Sequence, residues 1–246
     1  MKNLLLTFLF LTGILNAQNV DEIIKKADQH LRANSSYAEI NMTIVKPEWT
    51  RTMGMKVWAL EPDYTLIYIT EPARDKGTVT LKRKDEVWNW IPAAQKIIKI
   101  PPSMMLQSWM GSDFTNDDLV REASIVQDYY HKLLGEEKLN GYDCYKIELK
   151  PKPNVGVVWD KIIMWVTKDG NYNELRADYY DENGNVTKTF NGSDPKEMGG
   201  RYIFTHWEMV PNDEPGHKTI LEYDNIKYNI KINQSFFSEQ NMKRVR

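Results

Sequence analysis

Alternation of apolar and polar residues over short stretches is the feature that most constrains this chain. The clearest stretch has apolar side chains at every second position: Ala38, Ile40, Met42 and Ile44. Side chains of a β-strand point alternately to the two faces of a sheet, so this period of two predicts a strand with one buried face. Further strands are predicted at residues 51–60, 64–70, 78–84, 86–91, 96–100, 142–150, 161–167, 174–180, 186–190, 202–210, 219–223 and 226–232.

Turn-forming residues separate these stretches at the distances expected of hairpins, as at Asn140-Gly141 and Asn183-Gly184. Aromatic residues make up 11% of the chain, which also favours sheet. No linker divides the chain, so we expect a single mainly β domain over residues 18–246, folded as a large curled antiparallel sheet or open barrel. One amphipathic helix precedes the strands, with apolar residues at Val20, Ile23, Ile24, Ala27 and Leu31.

The first 17 residues have the pattern of an export signal. Lys2 provides a positive charge, residues 4–15 are predominantly apolar, and Ala17 offers a small residue for cleavage. A helix of these 12 residues would span about 18 Å, too little for a hydrocarbon core of roughly 30 Å. Residues 1–17 are therefore predicted to be a signal peptide, cleaved before Gln18 to release a soluble, exported protein.

Composition and motifs argue against several classes of function. The chain has 32 Lys and Arg against 34 Asp and Glu, so a nucleic-acid binder with a basic surface is not expected. The single cysteine, Cys144, excludes an intrachain disulfide and a cysteine-rich metal site. The four histidines lack the spacing of a helical zinc site, and phosphate-loop and nucleophile motifs are absent. We expect no enzyme, no cofactor and no metal, although strands can bring distant carboxylates together and an exported hydrolase stays open as an alternative.

An apolar segment interrupts the strands in the middle of the chain. Pro101-Pro102 ends the preceding strand, and residues 103–120 follow with the sequence SMMLQSWMGSDFTNDDLV. Thr115 can cap a helical turn that starts at Asn116. A helical segment that is apolar on several sides must cover another apolar surface or a ligand. We predict a lid over the concave face of the sheet with a joint at Gly111; the alternative is a segment packed permanently in the core.

The residues predicted to bind a ligand lie mainly in this lid. Methionine side chains are soft and flexible, which suits ligands of variable shape such as acyl chains. The predicted lid residues are Met104, Met105, Leu106, Trp109, Met110 and Phe114. Weaker candidates for lining the same cavity are Trp58, Trp88 and Trp90.

The same segment carries a resemblance to a known family. A methionine-rich run followed by Gly-Ser-Asp-Phe-Thr, within residues 103–120, resembles the outer-membrane lipoprotein-sorting, LolA-like family. Residues 88–92 (WNWIP) and 134–142 (LGEEKLNGY) are similar to it as well, and the resemblance covers essentially the whole mature chain. It implies a half-open, strongly curved antiparallel sheet whose apolar concave face is covered by helices.

The resemblance also implies a periplasmic carrier that moves lipoproteins or other lipids between membranes. The implied partners are an acylated lipoprotein or lipid cargo, an inner-membrane donor complex or exporter, and an outer-membrane acceptor, with the carrier itself a monomer. No arginine of this sequence aligns with the one that holds the lid closed in the best-known carriers, so that role is not transferred. The alternative is a regulatory sensor of mislocalised lipid or lipoprotein, with the same fold, that acts through a membrane protein.

Overall fold

The computed structural model describes residues 19–121, 125–153, 155 and 157–246. The predicted signal peptide, residues 1–17, and its cleavage site before Gln18 lie outside these described residues. Across the part of the chain that is described, no helix is long and apolar enough to cross a membrane.

The predicted amphipathic helix is present as α1, Val20–Arg32. Asn19 caps its first turn, because its side-chain oxygen accepts a hydrogen bond from the backbone N–H of Asp21 at 3.0 Å. The apolar stripe of α1 packs onto the inner face of strands in the C-terminal half of the sheet. Its buried residues are Ile23, Ile24 and Ala27.

Thirteen strands among the described residues form one antiparallel sheet with the order β6-β5-β4-β3-β2-β1-β13-β12-β11-β10-β9-β8-β7. This confirms the mainly β prediction and the curved, unclosed antiparallel sheet. The strands are β1 (Ser35–Lys46), β2 (Trp49–Leu60), β3 (Tyr64–Glu71), β4 (Val79–Arg83), β5 (Glu86–Ile91), β6 (Lys96–Lys99), β7 (Tyr129–Leu139), β8 (Tyr142–Pro151), β9 (Lys161–Thr167), β10 (Glu174–Tyr180), β11 (Val186–Met198), β12 (Arg201–Pro211) and β13 (Lys218–Tyr228).

The two edge strands of this sheet are neighbours in the chain. β6 forms one edge and β7 forms the other, and residues 100–128 connect them. Every other pair of consecutive strands among those described is hydrogen bonded side by side, so this connection alone has to pass from one edge to the other. Topology therefore places the predicted lid segment across the open seam of the curved sheet.

The edge strand β7 is missing from the sequence prediction. Its residues are mostly exposed, so apolar and polar positions do not alternate as they do in β1. Two adjacent leucines, Leu133 and Leu134, are both exposed, and the pairing with β8 shifts register between Leu133 and Gly135. A strand with little burial leaves no periodic signal in its sequence.

The end of the sheet also differs from the prediction. Residues 219–223 and 226–232, predicted as two strands, belong in part to the single strand β13, which ends at Tyr228. Asn229 has a φ of 53°, a left-handed conformation that turns the chain out of the sheet although the alternation of side chains continues.

A C-terminal segment packs against the outer face of β2–β5. It contains a short 3-10 helix at Gln234–Phe236 and the four-residue helix α3, Glu239–Met242. The Phe237 and Met242 side chains are completely covered by this packing. This leaves the inner, concave face of the same strands available for another role.

Candidate functional site

A cavity of about 190 Å³ lies on the concave face of the sheet. One wall is formed by β1–β4, and the opposite wall by residues of β11–β13 such as Phe190, Trp207 and Leu221. The C-terminal end of α1 and the connection between β6 and β7 complete the enclosure. The cavity thus lies under the segment that the sequence predicts to be a lid.

The β1–β4 wall changes from polar to apolar along the strands. The first row of side chains paired across these strands is Ser36, Ala59, Thr65 and Lys82. The second row is Ala38, Val57, Ile67 and Thr80, and the third is Ile40, Met55 and Ile69. Since every second residue of a strand shares a face, the alternation in the sequence builds this wall directly. The cavity has one polar end and an apolar body.

The polar end carries buried and half-buried charges. Lys82 is only 4% exposed, and its Nζ donates a hydrogen bond to the carbonyl oxygen of Pro62 at 2.8 Å. Arg32 donates from Nε to Oδ1 of Asp28 at 2.9 Å. Burial raises the pKa of Asp28, and the Arg32 guanidinium opposes that shift. Glu61 also lies in the wall, so the charged residues that line the cavity are all at this end.

Residues 102–118, named the covering loop from here on, close the cavity at the seam. The loop is a compact hairpin, so the prediction of a helical segment over most of this stretch is wrong. The backbone N–H of Trp109 donates to the carbonyl of Phe114 at 2.7 Å. Ser108 and Thr115 form an isolated antiparallel β-bridge. Gly111 makes the turn possible because its φ is 81°, a conformation that only glycine adopts without strain.

The covering loop ends in the four-residue helix α2, Asp118–Arg121. Thr115 Oγ1 accepts the backbone N–H of Asp118 at 3.0 Å, and Asp118 Oδ2 accepts the backbone N–H of Thr115 at 2.8 Å. This reciprocal pair is a capping box. The predicted cap at Thr115 is therefore present, and the turn at Asn116 and Asp117 leads into α2.

Two of the predicted lid residues reach into the cavity. Trp109 is 4% exposed, packs with the apolar rows of β1–β3, and donates from Nε1 to Thr80 Oγ1 at 3.1 Å. Phe114 is 7% exposed and lies edge-to-face with Phe190, their ring centres 6.0 Å apart. These two rings form the covering side of the cavity together with Leu119.

The other four predicted lid residues do not line the cavity. Met105 packs on Val87 and Ile100 near the β6 edge, and Met110 is half-buried beside the apolar rows. Met104 and Leu106 are exposed, Leu106 by 55%. A hairpin laid on a surface buries one side only, so apolar residues on its outer side remain in water.

The prediction that Trp58, Trp88 and Trp90 line this cavity is wrong. The pairing of β4 with β5 places Trp88 opposite Leu81 and Trp90 opposite Val79, whereas the cavity residue Thr80 has the opposite orientation. All three tryptophans lie on the outer face. There they pack with the C-terminal segment; the Trp58 ring centre, for example, is 5.6 Å from that of Phe236.

The tip of the covering loop is tied to the ends of three strands. Asp113 Oδ1 lies 2.5 Å from Nζ of Lys46, and both side chains are largely buried. Thr219 Oγ1 donates to Asp113 Oδ2 at 2.7 Å and accepts the backbone N–H of Asp113 at 2.9 Å. Arg51 donates to the carbonyl oxygen of Met110. The turn at Gly111, predicted as a flexible joint, is thus held on both sides.

The Lys46 ammonium also accounts for a cluster that has metal-ligand residue types. Among the described residues, Asp113, Glu214 and His217 place one ligand atom each within 4.8 Å of one another. Lys46 Nζ lies 3.0 Å from His217 Nδ1 and 3.9 Å from Glu214 Oε2, in addition to its contact with Asp113. A cation supplied by the chain itself therefore already occupies the middle of the cluster.

The single cysteine of the sequence is remote from water. Cys144 lies in β8 and is buried in the cluster beneath α1. Burial raises the pKa of its thiol to about 11. The thiol is therefore protonated at neutral pH, which is the unreactive form.

Sequence reasoning missed the residues that hold the covering loop in place. Lys46, Arg51 and Thr219 belong to three strand ends far from the loop in sequence, and no local pattern marks them. The wall residues could have been identified from alternation, since Ala38, Ile40 and Met42 were assigned to one face. Alternation does not say which face is concave.

Comparison with known proteins supplies a family and a fold. A family model described as an uncharacterized protein matches residues 61–244. No curated protein sequence matches the chain. A solved structure of a DUF1329 family protein from Desulfovibrio piger is 27% identical, with a TM-score of 0.81 over 90% of this chain and 97% of that one.

Two further solved structures show the same fold. A domain from Vibrio parahaemolyticus, described as an outer membrane lipoprotein-sorting protein, is 23% identical with a TM-score of 0.80 over 93% of this chain and 100% of that one. A LolA superfamily protein from Nitrosomonas europaea is 22% identical with a TM-score of 0.75 over 90% of this chain and 98% of that one.

Proposed function

This chain belongs to a LolA-like family of uncharacterized proteins, and from that membership we propose that it is a periplasmic carrier of acyl chains. The cargo is a lipoprotein or a lipid, which the carrier takes from a donor complex or exporter in the inner membrane and delivers to an acceptor at the outer membrane. The protein binds this cargo without catalysing a reaction.

The observation that carries the proposal is the apolar body of the cavity under the covering loop. Transfer of each methylene group from water to an apolar site is favourable by about 0.8 kcal/mol. Moving a 16-carbon chain from such a site into water therefore costs roughly 12 kcal/mol. Ile40, Met55 and Ile67 on one wall, with Trp109 and Phe114 on the cover, provide such a site. A carrier with this cavity would remove the main barrier to crossing the periplasm.

The gradient along the wall orients the cargo in this proposal. The polar headgroup lies at the end formed by Ser36, Arg32 and Lys82, whose polar and charged side chains suit it better than the apolar body does. The acyl chain runs from there through the apolar body, toward the Trp109 and Phe114 rings of the covering loop. An amphipathic molecule is the class of ligand that matches a cavity with one polar end.

A charged side chain in the apolar body should prevent binding. In Val57→Asp a carboxylate replaces a half-buried methyl pair in the second row, and we expect at least about a tenfold loss of affinity for a fluorescent fatty-acid probe. The matched control is Val158→Asp, the same change at a residue that is 65% exposed and outside the cavity. Fluorescence titration of both variants, with their melting temperatures, checks this; equal affinities would contradict the proposal.

A transfer experiment separates the carrier from the regulatory sensor. Protein loaded with the probe is mixed with phospholipid vesicles, and a carrier should release the probe to the vesicles without any protein partner. A sensor should retain it and change its affinity for a membrane protein instead. Native mass spectrometry of the protein purified from its own periplasm would identify the natural cargo.

A further inference from the structure

The Phe114 ring stands between two apolar spaces under the covering loop. The large cavity of about 190 Å³ has Phe114 and Phe190 in its wall, and so does a second cavity of about 20 Å³ on the other side of these rings. The small cavity continues toward Tyr129 and Trp159. The two rings are therefore the partition between the spaces.

The far space has walls that suit the end of an aliphatic chain. Ile125, Ile162 and Met209 line it, and Asp118, the charged residue in its wall, is paired with Lys188 at 2.7 Å. Its polar atoms are already engaged: Trp159 Nε1 donates to the Tyr129 hydroxyl at 3.0 Å. A hydrocarbon could enter without leaving these donors unpaired.

Of the two rings in the partition, Phe114 has the fewer aromatic contacts among the described residues. Phe190 lies on β11 and is stacked on Trp207, with ring centres 4.7 Å apart and planes 19° from parallel. Phe114 lies in the covering loop, where Asp113 and Thr115 on either side are held by hydrogen bonds. A change of rotamer at Phe114 would leave these ties of the loop in place.

We propose that the Phe114 ring is the end stop of the acyl-chain cavity and so determines the chain length that the protein accepts. Chains that fit the large cavity end against the ring, and longer chains must displace it into the space near Trp159. This inference rests on the proposed binding of acyl chains. It adds a specificity-determining residue and a substrate property, the length of the chain.

The test is a chain-length profile for the full-length protein and for Phe114→Ala. Saturated fatty acids that differ by two carbons each compete with the fluorescent probe, and the affinity is plotted against length. In the original protein the affinity should rise and then level off. In Phe114→Ala it should keep rising beyond that length by about fourfold for each further methylene that becomes covered.

Two further variants keep the result interpretable. Phe114→Leu preserves most of the packing and should shift the profile in the same direction by a smaller amount. It provides the test if Phe114→Ala fails to fold. Phe236→Ala removes a ring from the outer face and should leave the profile unchanged.

The outcomes separate this inference from the proposed function. One outcome is the same limiting chain length in the original protein and in the folded Phe114 variants, whether or not all affinities fall equally. That result would overturn the end stop but leave the proposed acyl binding intact. If the original protein binds no probe and no fatty acid, the proposed function fails, and the end stop fails with it.

Discussion

Replacement of Trp109 by alanine should lower the free energy of unfolding by about 3 to 5 kcal/mol, the cost of removing a large buried ring from a packed core. Trp109 is almost completely covered, and it packs with Met42 and Met53 on the concave face. Urea denaturation monitored by circular dichroism measures this directly. The same change should enlarge the cavity and reduce the selectivity with which it binds acyl probes of different length.

This expected result bears on the two interpretations of the segment, a lid or permanently packed core. Trp109 and Phe114 of the covering loop are packed as core residues and also line the cavity, so each of them serves both roles. A stability loss below about 1 kcal/mol in Trp109→Ala would mean that the covering loop contributes little to folding and opens freely.

Two control variants isolate the contribution of the buried ring. Trp109→Phe keeps an aromatic ring but loses the hydrogen bond to Thr80, and it should cost about 1 kcal/mol beyond the lost ring area. Leu106→Ala changes an apolar residue of the same loop that is exposed, and it should stay within about 0.5 kcal/mol of the original protein.

Replacement of Asp113 by asparagine should be the most damaging single change of charge, at about 3 kcal/mol of unfolding free energy. The carboxylate is the counter-charge of Lys46, and both side chains are largely buried. Without it the ammonium stays in the same place with only His217 and the more distant Glu214 as partners. The tip of the covering loop should then separate from the strand ends and admit water to the cavity.

Glu214→Gln is the matched control for this prediction. It removes a carboxylate from the same cluster, but Glu214 is about half exposed and its Oε2 lies 3.9 Å from Lys46 Nζ. Exposed ion pairs of this kind contribute little, so the change should be within about 1 kcal/mol. A double-mutant cycle of Asp113→Asn with Lys46→Met tests the coupling, and independent effects of the two changes would rule out the pair as the tie.

Most of the sheet could be predicted from the sequence because burial on one face leaves a period of two. β1 shows this best: Ala38 to Ile44 alternate in the sequence and are buried at every second position in the structure. β7 shows the limit of the same signal, since an exposed edge strand has no buried face to mark. The helix α1 was predicted from the corresponding helical spacing of its apolar residues, of which Ile23, Ile24 and Ala27 are buried in the structure.

The candidate site could be predicted only in part. Trp109 and Phe114 were selected because the segment around them is apolar and interrupts the strands, and both line the cavity. Trp58, Trp88 and Trp90 were selected on aromatic character alone, and strand register places them on the other face. Composition measures how strongly a side chain avoids water, but it does not show which of several apolar surfaces covers it.

The sequence by itself determined the β class, the helix α1 and the presence of an apolar segment in mid-chain, because these depend on residues close together in the chain. Only the tertiary structure decided that β6 and β7 are the two edges, that the covering loop spans the seam between them, and that Asp113 meets Lys46 and Thr219. These contacts join residues 67 and 106 positions apart. They form because a sheet that curves on itself brings distant strand ends together, and no local pattern records that curvature.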